Sequence, residues 1–286
     1  LNMTKKVLVT GATGFIGANL LEHLGGQDME VYRGVRQLNA NSDEFDVLCD
    51  LTDLSSISAI SENYNFDVIV HLASAIGWSG QSYEDMFVSN VLATGALGHI
   101  ACQMGSDFIF ASAALVHGKS SDSINDLSQI NLDTEYARTK YDAELLLKSI
   151  LPAACILRIG GVFGHHGPSH LGINRSIAEA ISGVAPVLYG DGENLRNYIY
   201  VDDLTLIISD VIAREISGTY LIAGQEAQSV KSMLQEICDG LLNGRDFVRE
   251  NDSAHFQDQV ITPSPELLNG RSFRSALASI RGKANK

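Results

Sequence analysis

Thr10-Gly11-Ala12-Thr13-Gly14-Phe15-Ile16-Gly17 decides how this chain is read. It follows the β-rich run Lys6-Val7-Leu8-Val9-Thr10 and opens a helical pattern through Asn19-Leu20-Leu21-Glu22-His23-Leu24, which Gly25-Gly26 ends. Gly11 permits the tight turn, Gly14 lets a pyrophosphate approach the backbone, and Gly17 lets helix and strand pack closely. The helix N-terminus then offers free N–H groups and a partial positive charge to phosphate. Glycine spacing alone is weak evidence, and the strand–turn–helix context is what gives it weight. Thr13, Phe15 and Ile16 complete the candidate nucleotide cradle.

The same alternation continues outward. Glu30–Val35, Phe45–Cys49, Asp67–Leu72, Phe108–Phe110 and Ala154–Arg158 read as strands, with helical stretches at Leu54–Ser61, Tyr83–Met104 and Tyr136–Ile150. Strands separated by helical segments of about 10–15 residues imply βαβ units and a parallel sheet covered on both faces. That is a doubly wound α/β fold. After Gly160 the texture changes to a glycine- and histidine-rich loop, a helix near Ile173–Ile181, a short strand Pro186–Tyr189 and the turn Gly190-Asp191-Gly192. These features predict a nucleotide-binding domain over 3–165 and 196–224 and a smaller substrate-binding lobe over 166–195 and 225–286. There is no low-complexity linker and no internal repeat.

Composition narrows the function classes. Among 286 residues, 20 Lys+Arg against 34 Asp+Glu give a formal charge of −14. Nucleic acid and anionic membranes need a basic footprint, so neither is expected as a partner. With 45% hydrophobic and 19% charged residues, the chain has ample material for a core. No apolar run approaches the roughly 20 residues of a membrane span. Cys49, Cys102, Cys155 and Cys238 form no CxxC pair, and three sit inside apolar segments, so reduced thiols are expected. No secretory pattern precedes the first strand, and Leu1-Asn2 ahead of Met3 reads as an added remnant. A cytoplasmic location is the expectation.

Two further positions bear on the cofactor. At the end of the second strand an acid would bind a ribose 2′-hydroxyl, but Glu30 comes too early. Arg36 stands at the strand end with Arg33 nearby, which suits the 2′-phosphate of NADP, with NAD as the alternative. The plainer reading leaves both arginines as solvated surface residues. Asp50, beside Leu51 after the third strand, is placed to accept from an adenine amino group, while Asp53 or Thr52 suits a helix N-cap better. In Tyr136-Ala137-Arg138-Thr139-Lys140 the i, i+4 spacing puts phenol and ammonium on one helix face. A phenol of pKa about 10 is a poor catalyst at neutral pH. A neighbouring ammonium favours the phenolate and lowers that value.

The glycine-rich turn together with Tyr136 and Lys140 resembles the extended short-chain dehydrogenase/reductase family, which includes nucleotide-sugar epimerases, dehydratases and 4-keto reductases. The resemblance extends through His71-Leu72-Ala73-Ser74, Asn90-Val91-Leu92-Ala93-Thr94, Leu157-Arg158, Val162-Phe163-Gly164 and Gly190 to Leu204. It implies a Rossmann sheet, catalytic Tyr136 and Lys140, and cofactor contacts from Leu72, Ala73, Ser74 and Asn90 as well as from Tyr136 and Lys140. It also implies a nucleotide-diphosphate sugar as substrate, bound by Ser74, Ser112, Ala113, Asn174 and Arg196, the last on the diphosphate. A homodimer through the helices near 83–104 and 136–150 follows from the same likeness.

The departures are equally specific. The family's Ser-Ser-x-x-Val-Tyr-Gly stands here as Ser112-Ala113-Ala114-Leu115-Val116-His117-Gly118. The carbonyl-polarising hydroxyl therefore falls at Ala113. Either Ser112 or another donor takes over as the third catalytic group, or the residue was changed to trap a complex, or this step is weak. Ala114 and Leu115 replace the acidic pair of the dehydratases, which disfavours dehydration. Gly161 replaces the usual Asn of the substrate loop. His165, His166 and His170 lie on a loop without carboxylate or thiolate at matching spacing, so no metal is expected. His117 has a structural role by default. The leading expectation is an NADP(H)-dependent 4-keto reductase, followed by a 4-epimerase and then by a non-catalytic NADP-binding regulator.

Overall fold

The computed structural model describes residues 4–77, 80–119, 121–250, 256–267 and 270–285; Leu1-Asn2 lie outside them. Six runs that the sequence offers as strands, joined by a seventh at Gly218–Ile222 that it does not, form one seven-stranded parallel sheet. Its strands are β1 (Lys5–Thr10), β2 (Met29–Val35), β3 (Asp46–Leu48), β4 (Val68–His71), β5 (Asp107–Ala113), β6 (Cys155–Ile159) and β7 (Gly218–Ile222). Their order is β7-β6-β5-β4-β1-β2-β3. β1 pairs in parallel with β2 on one side (Thr10 opposite Gly34) and with β4 on the other (Thr10 opposite His71).

That order reverses direction at β1. In such sheets a ligand binds in the crevice beyond the carboxyl ends of the two strands at the switch point. The segments that follow β1 and β4 are the turn at Gly11 and the run Leu72-Ala73-Ser74. Val7, Leu8, Val9, Ile69 and Val70 are buried, as expected for central strands covered on both faces. Helix α1 (Phe15–Leu24) follows the turn, α2 (Ala93–Met104) precedes β5, and α3 (Glu135–Ile150) precedes β6. The stretch expected as one helix from Tyr83 contains a π turn at Val88–Leu92. Among the described residues no helix is long and apolar enough to cross a membrane.

The chain divides into two units. The first holds Leu1–Gly118, Ile130–Arg158 and Thr205–Tyr220; the second holds Lys119–Gln129, Ile159–Leu204 and Leu221–Lys286. The sequence texture places the divide elsewhere, at 165, 196 and 224. Strand pairing explains the difference. Val162 pairs with Ile199 and Phe163 with Tyr200, so the chain joins the second unit as soon as β6 ends. Ser123 pairs with Val260, which takes 119–129 there as well. The cysteines are free thiols, buried at 49, 155 and 238 and exposed at 102.

Candidate active site

The turn after β1 is built by steric necessity. Gly11 has φ of 69°, and a Cβ there would lie 2.7 Å from the Ala73 backbone nitrogen. A Cβ on Gly17 would lie 2.1 Å from the Gly11 carbonyl oxygen. The Gly14 N–H donates to that same oxygen at 2.9 Å and closes the turn. No side chain caps α1 and no acid stands in its first turn. Its N-terminal N–H groups and the positive end of its dipole are thus left for an anion, as a bound pyrophosphate requires. Thr13 is exposed, and Phe15 and Ile16 open the helix.

The segment after β4 is pinned from two sides. His71 is buried, with Nδ1 2.6 Å from Thr10 Oγ1 and Nε2 3.0 Å from Thr94 Oγ1. Burial, aided by the charge of Lys140, pushes its pKa down to about 3, so the ring is a neutral strut. Asn90, in the π turn, accepts from Ala75 N–H at 2.7 Å and from Ser74 Oγ at 3.1 Å. Its amide donates to Ala75 O at 2.7 Å and to Thr139 Oγ1 at 3.0 Å. An Asn side chain has two N–H donors and one oxygen with two lone pairs, and here all are engaged. Asn90 therefore joins the Leu72–Ala75 segment to α3, with its side-chain polar valences taken by these partners.

Thr134 caps α3 through the Ala137 N–H. The helix buries Ala137, Lys140, Ala143, Glu144 and Leu147 along one stripe. Tyr136 is half-buried one turn before Lys140. Burial pushes the phenol above its ordinary value, while the nearby Ser74 hydroxyl works in the opposite direction. The lowering expected from Lys140 does not govern the phenol here; loss of water around it does. Lys140 is buried, with Nζ 4.5 Å from the centre of the Phe110 ring. Among the described residues its ammonium has no hydrogen-bond partner. Burial pulls its pKa down to about 7, with Glu144 opposing. A buried, unbonded ammonium one turn from a phenol fits the ribose hydroxyls of a nicotinamide cofactor.

The end of β5 differs from expectation. Ala113 carries no hydroxyl, and Ser112 is not free to substitute for it. The buried Ser112 hydroxyl donates to Glu144 Oε1 at 2.5 Å. Glu144 also receives Arg158, through Nη2 at 2.7 Å and Nε at 3.1 Å. Arg158 Nη1 in turn donates to His117 Nε2 at 3.1 Å. A guanidinium only donates, so the His117 ring is unprotonated at Nε2. Ser112, expected among the catalytic and substrate-binding groups, is a partner of a buried ion pair. Sequence reasoning missed Glu144, although an acid four residues after Lys140 on the apolar stripe of α3 was a visible signal.

The two arginines of β2 separate. Arg33 is committed to Asp46 through Nε at 2.7 Å and to Asp43 through Nη2 at 2.5 Å. Its charge is thereby compensated by two carboxylates. Arg36 is exposed and has no ion pair among the described residues. Asp50 accepts from Thr52 N–H at 2.9 Å and Thr52 Oγ1 at 2.8 Å, beside Leu51, and Asp53 is the N-cap of Leu54–Ser58.

In the second unit, Arg196 Nη1 donates to the carbonyls of Leu195 and Gln257, both at 2.7 Å. Burial raises the Tyr198 phenol above its ordinary value, with the Arg196 charge working in the opposite direction. The buried Asn174 holds the loop after β6, accepting from Gly164 N–H and donating to Val162 O, each at 3.1 Å. A Cβ at Gly161 would fall 2.4 Å from the Tyr198 ring, so this aromatic fills the space an Asn would need. The His165 and His166 rings lie 3.8 Å apart between centres, with His166 at φ of 59°. Among the described residues no group of three or more His, Cys, Asp or Glu is arranged to hold a metal ion.

Known proteins are similar to this chain in sequence and in fold. The sequence model of the NAD dependent epimerase/dehydratase family matches residues 7–223. A Bacillus subtilis protein described as an uncharacterized UDP-glucose epimerase is 27% identical over 280 residues, covering 89% of this chain and 86% of its own. Among solved structures, the dTDP-4-dehydrorhamnose reductase of Bacillus anthracis in complex with NADP superposes with a TM-score of 0.81 at 18% identity, covering 99% of each chain. The UDP-glucuronic acid 4-epimerase of Bacillus cereus in complex with NAD gives 0.80 at 19% identity, covering 98% of each. At such identities the superpositions speak for the fold.

Proposed function

The chain belongs to the NAD dependent epimerase/dehydratase family, and from that premise we propose that it is an NADP(H)-dependent reductase of nucleotide-linked 4-keto-6-deoxy sugars. The observation that carries this reading is Arg36. It is an exposed guanidinium with no ion pair among the described residues, just past the strand that ends beside the nucleotide cradle, while its neighbour Arg33 is already paired with Asp43 and Asp46. A 2′-phosphate suits that position, and NADP(H) suits a reductive direction.

The cofactor supplies hydride to C4 when bound. Gly11, Gly14 and Gly17 admit its pyrophosphate, with Thr13, Phe15, Ile16, Leu72, Ala73 and Ser74 around them. Tyr136 gives its phenolic proton to the oxygen at C4 as negative charge develops there. Lys140 holds the ribose hydroxyls and balances the phenolate left behind. Arg196 receives the sugar diphosphate. The exposed Leu92 and Leu145 support pairing of two chains through these helices.

The test is to mix the protein and NADPH with a panel of nucleotide 4-keto-6-deoxy sugars and follow NADPH absorbance. Oxidation with at least one member is expected. A panel without turnover, given a folded protein that binds NADPH, overturns the reading. A second reading, a 4-epimerase, is favoured by the Bacillus subtilis relative. An epimerase returns the hydride and retains its cofactor, so the ultraviolet spectrum of purified, then denatured, protein separates the two. Released nicotinamide dinucleotide favours epimerisation.

A further inference from the structure

The chain of groups behind Lys140 has no place in the reading above. Glu144 is buried on the same stripe of α3, one turn after Lys140. It accepts from Ser112 at the end of β5 and from Arg158 near the end of β6, and through Arg158 it reaches His117 in the short turn Ala114–His117. One carboxylate thus fastens three elements of the first unit. A buried charge pair held with this many hydrogen bonds is costly to lose by halves, because the remaining partner is left uncompensated.

We propose that Glu144 is a positioning residue for the Tyr136–Lys140 pair: it locks α3 onto β5 and β6, withdraws the Ser112 hydroxyl from substrate, and supplies the negative charge that faces Lys140. This rests on the reading of Tyr136 and Lys140 as the reacting groups. Lys140 is faced by neutral His71 from β4, the Phe110 ring from β5, and Tyr136 and Glu144 on its own helix; Arg158 and His117 lie beyond Glu144. Glu144 is therefore the one anion set to offset the burial of that ammonium among these neighbours. A merely structural carboxylate would leave the protonation of Lys140 untouched.

The experiment reads that protonation directly and needs no substrate. Protein labelled with carbon-13 at lysine Cε is titrated by NMR, with Lys140→Arg used to assign the Lys140 signal. The native midpoint is expected at about 7. Glu144→Gln should lower it by about one unit or more, the usual effect of removing a close opposite charge. Glu144→Asp should return it towards the native value. Because Glu144→Gln leaves Arg158 unpaired and endangers folding, Glu144→Gln with Arg158→Met is the second variant, and it too should titrate below the native midpoint. A folded variant of either kind with an unchanged midpoint overturns the proposal. Failure of the nucleotide-sugar panel with an intact Lys140 titration would instead overturn the reductase reading alone.

Discussion

The turn after β1 and the end of β5 both lie at carboxyl ends of the sheet's central strands, yet they relate to their sequence in opposite ways. At the turn, function depends on atoms that are missing. Gly11 and Gly17 are required because a Cβ would meet backbone at 2.7 and 2.1 Å, and no other residue satisfies that demand. At the end of β5, the arrangement depends on where one hydroxyl points. Ser112 stands one residue from the expected place, and its side chain turns to Glu144. Sites made of backbone space are fixed by sterics, whereas sites made of side-chain direction depend on partners far along the chain. Glu144 lies 32 residues away from Ser112.

The largest test of this contrast is Tyr136→Phe, which removes the proposed proton donor and leaves the ring in place. Turnover should fall by about 10²–10⁴-fold, the ordinary worth of a positioned acid. NADPH affinity and melting temperature should stay near the native values. Near-native turnover would mean that the reaction end of the site is not organised around α3.

Ala113→Ser comes next, because it returns a hydroxyl to the position left empty. A preorganised donor to a developing oxyanion is worth about 2.7–4 kcal/mol of barrier. The variant should therefore raise kcat/KM by about 10²–10³-fold on the best substrate of the panel. A neutral result would show that another group already does this work, and Ser74, whose hydroxyl acts on the Tyr136 phenol, is the first to exchange for Ala.

The degree to which this molecule is legible in its sequence follows the same line. Six of the seven strands, α1 and the approximate course of α3 were readable because apolar periodicity and glycine punctuation are local. Asp53 as a helix cap was readable for the same reason. The fate of Arg33 was not, since its partners Asp43 and Asp46 meet it only when β2 pairs with β3. The π turn around Asn90 was hidden because its helical pattern gives no warning of one extra residue in a turn. The two units divide at Ile159 and not at 165 because Val162 pairs with Ile199, 37 residues along the chain, a pairing that local composition does not announce.

Gly17→Ala examines the backbone end. The added methyl would sit 2.1 Å from a carbonyl oxygen, with only backbone to move aside. Overpacking of this sort costs about 1–3 kcal/mol and sometimes more. The melting temperature should drop, and affinity for both NADPH and NADH should weaken together because the shared cradle is displaced. A variant that melts normally and binds both would remove the steric half of the contrast.

Ser112→Ala is the smallest effect and discriminates most finely. The hydroxyl donates to a buried carboxylate that retains Arg158, so no charge is stranded when it is lost. A hydrogen bond to a charged group contributes about 1.5–3 kcal/mol to stability, and Arg158 should hold the loss to the low end of that range. Thermal or urea unfolding should therefore show a modest destabilisation, while kcat on the panel substrate stays within a few-fold of native. If Ser112 instead polarises the substrate carbonyl, the pattern inverts. Stability would barely change, kcat would fall by about 10²-fold or more, and Ala113→Ser would no longer help. The two variants measured on one substrate thus decide whether the end of β5 gave up its hydroxyl to the fold or kept it, one residue displaced, for the reaction.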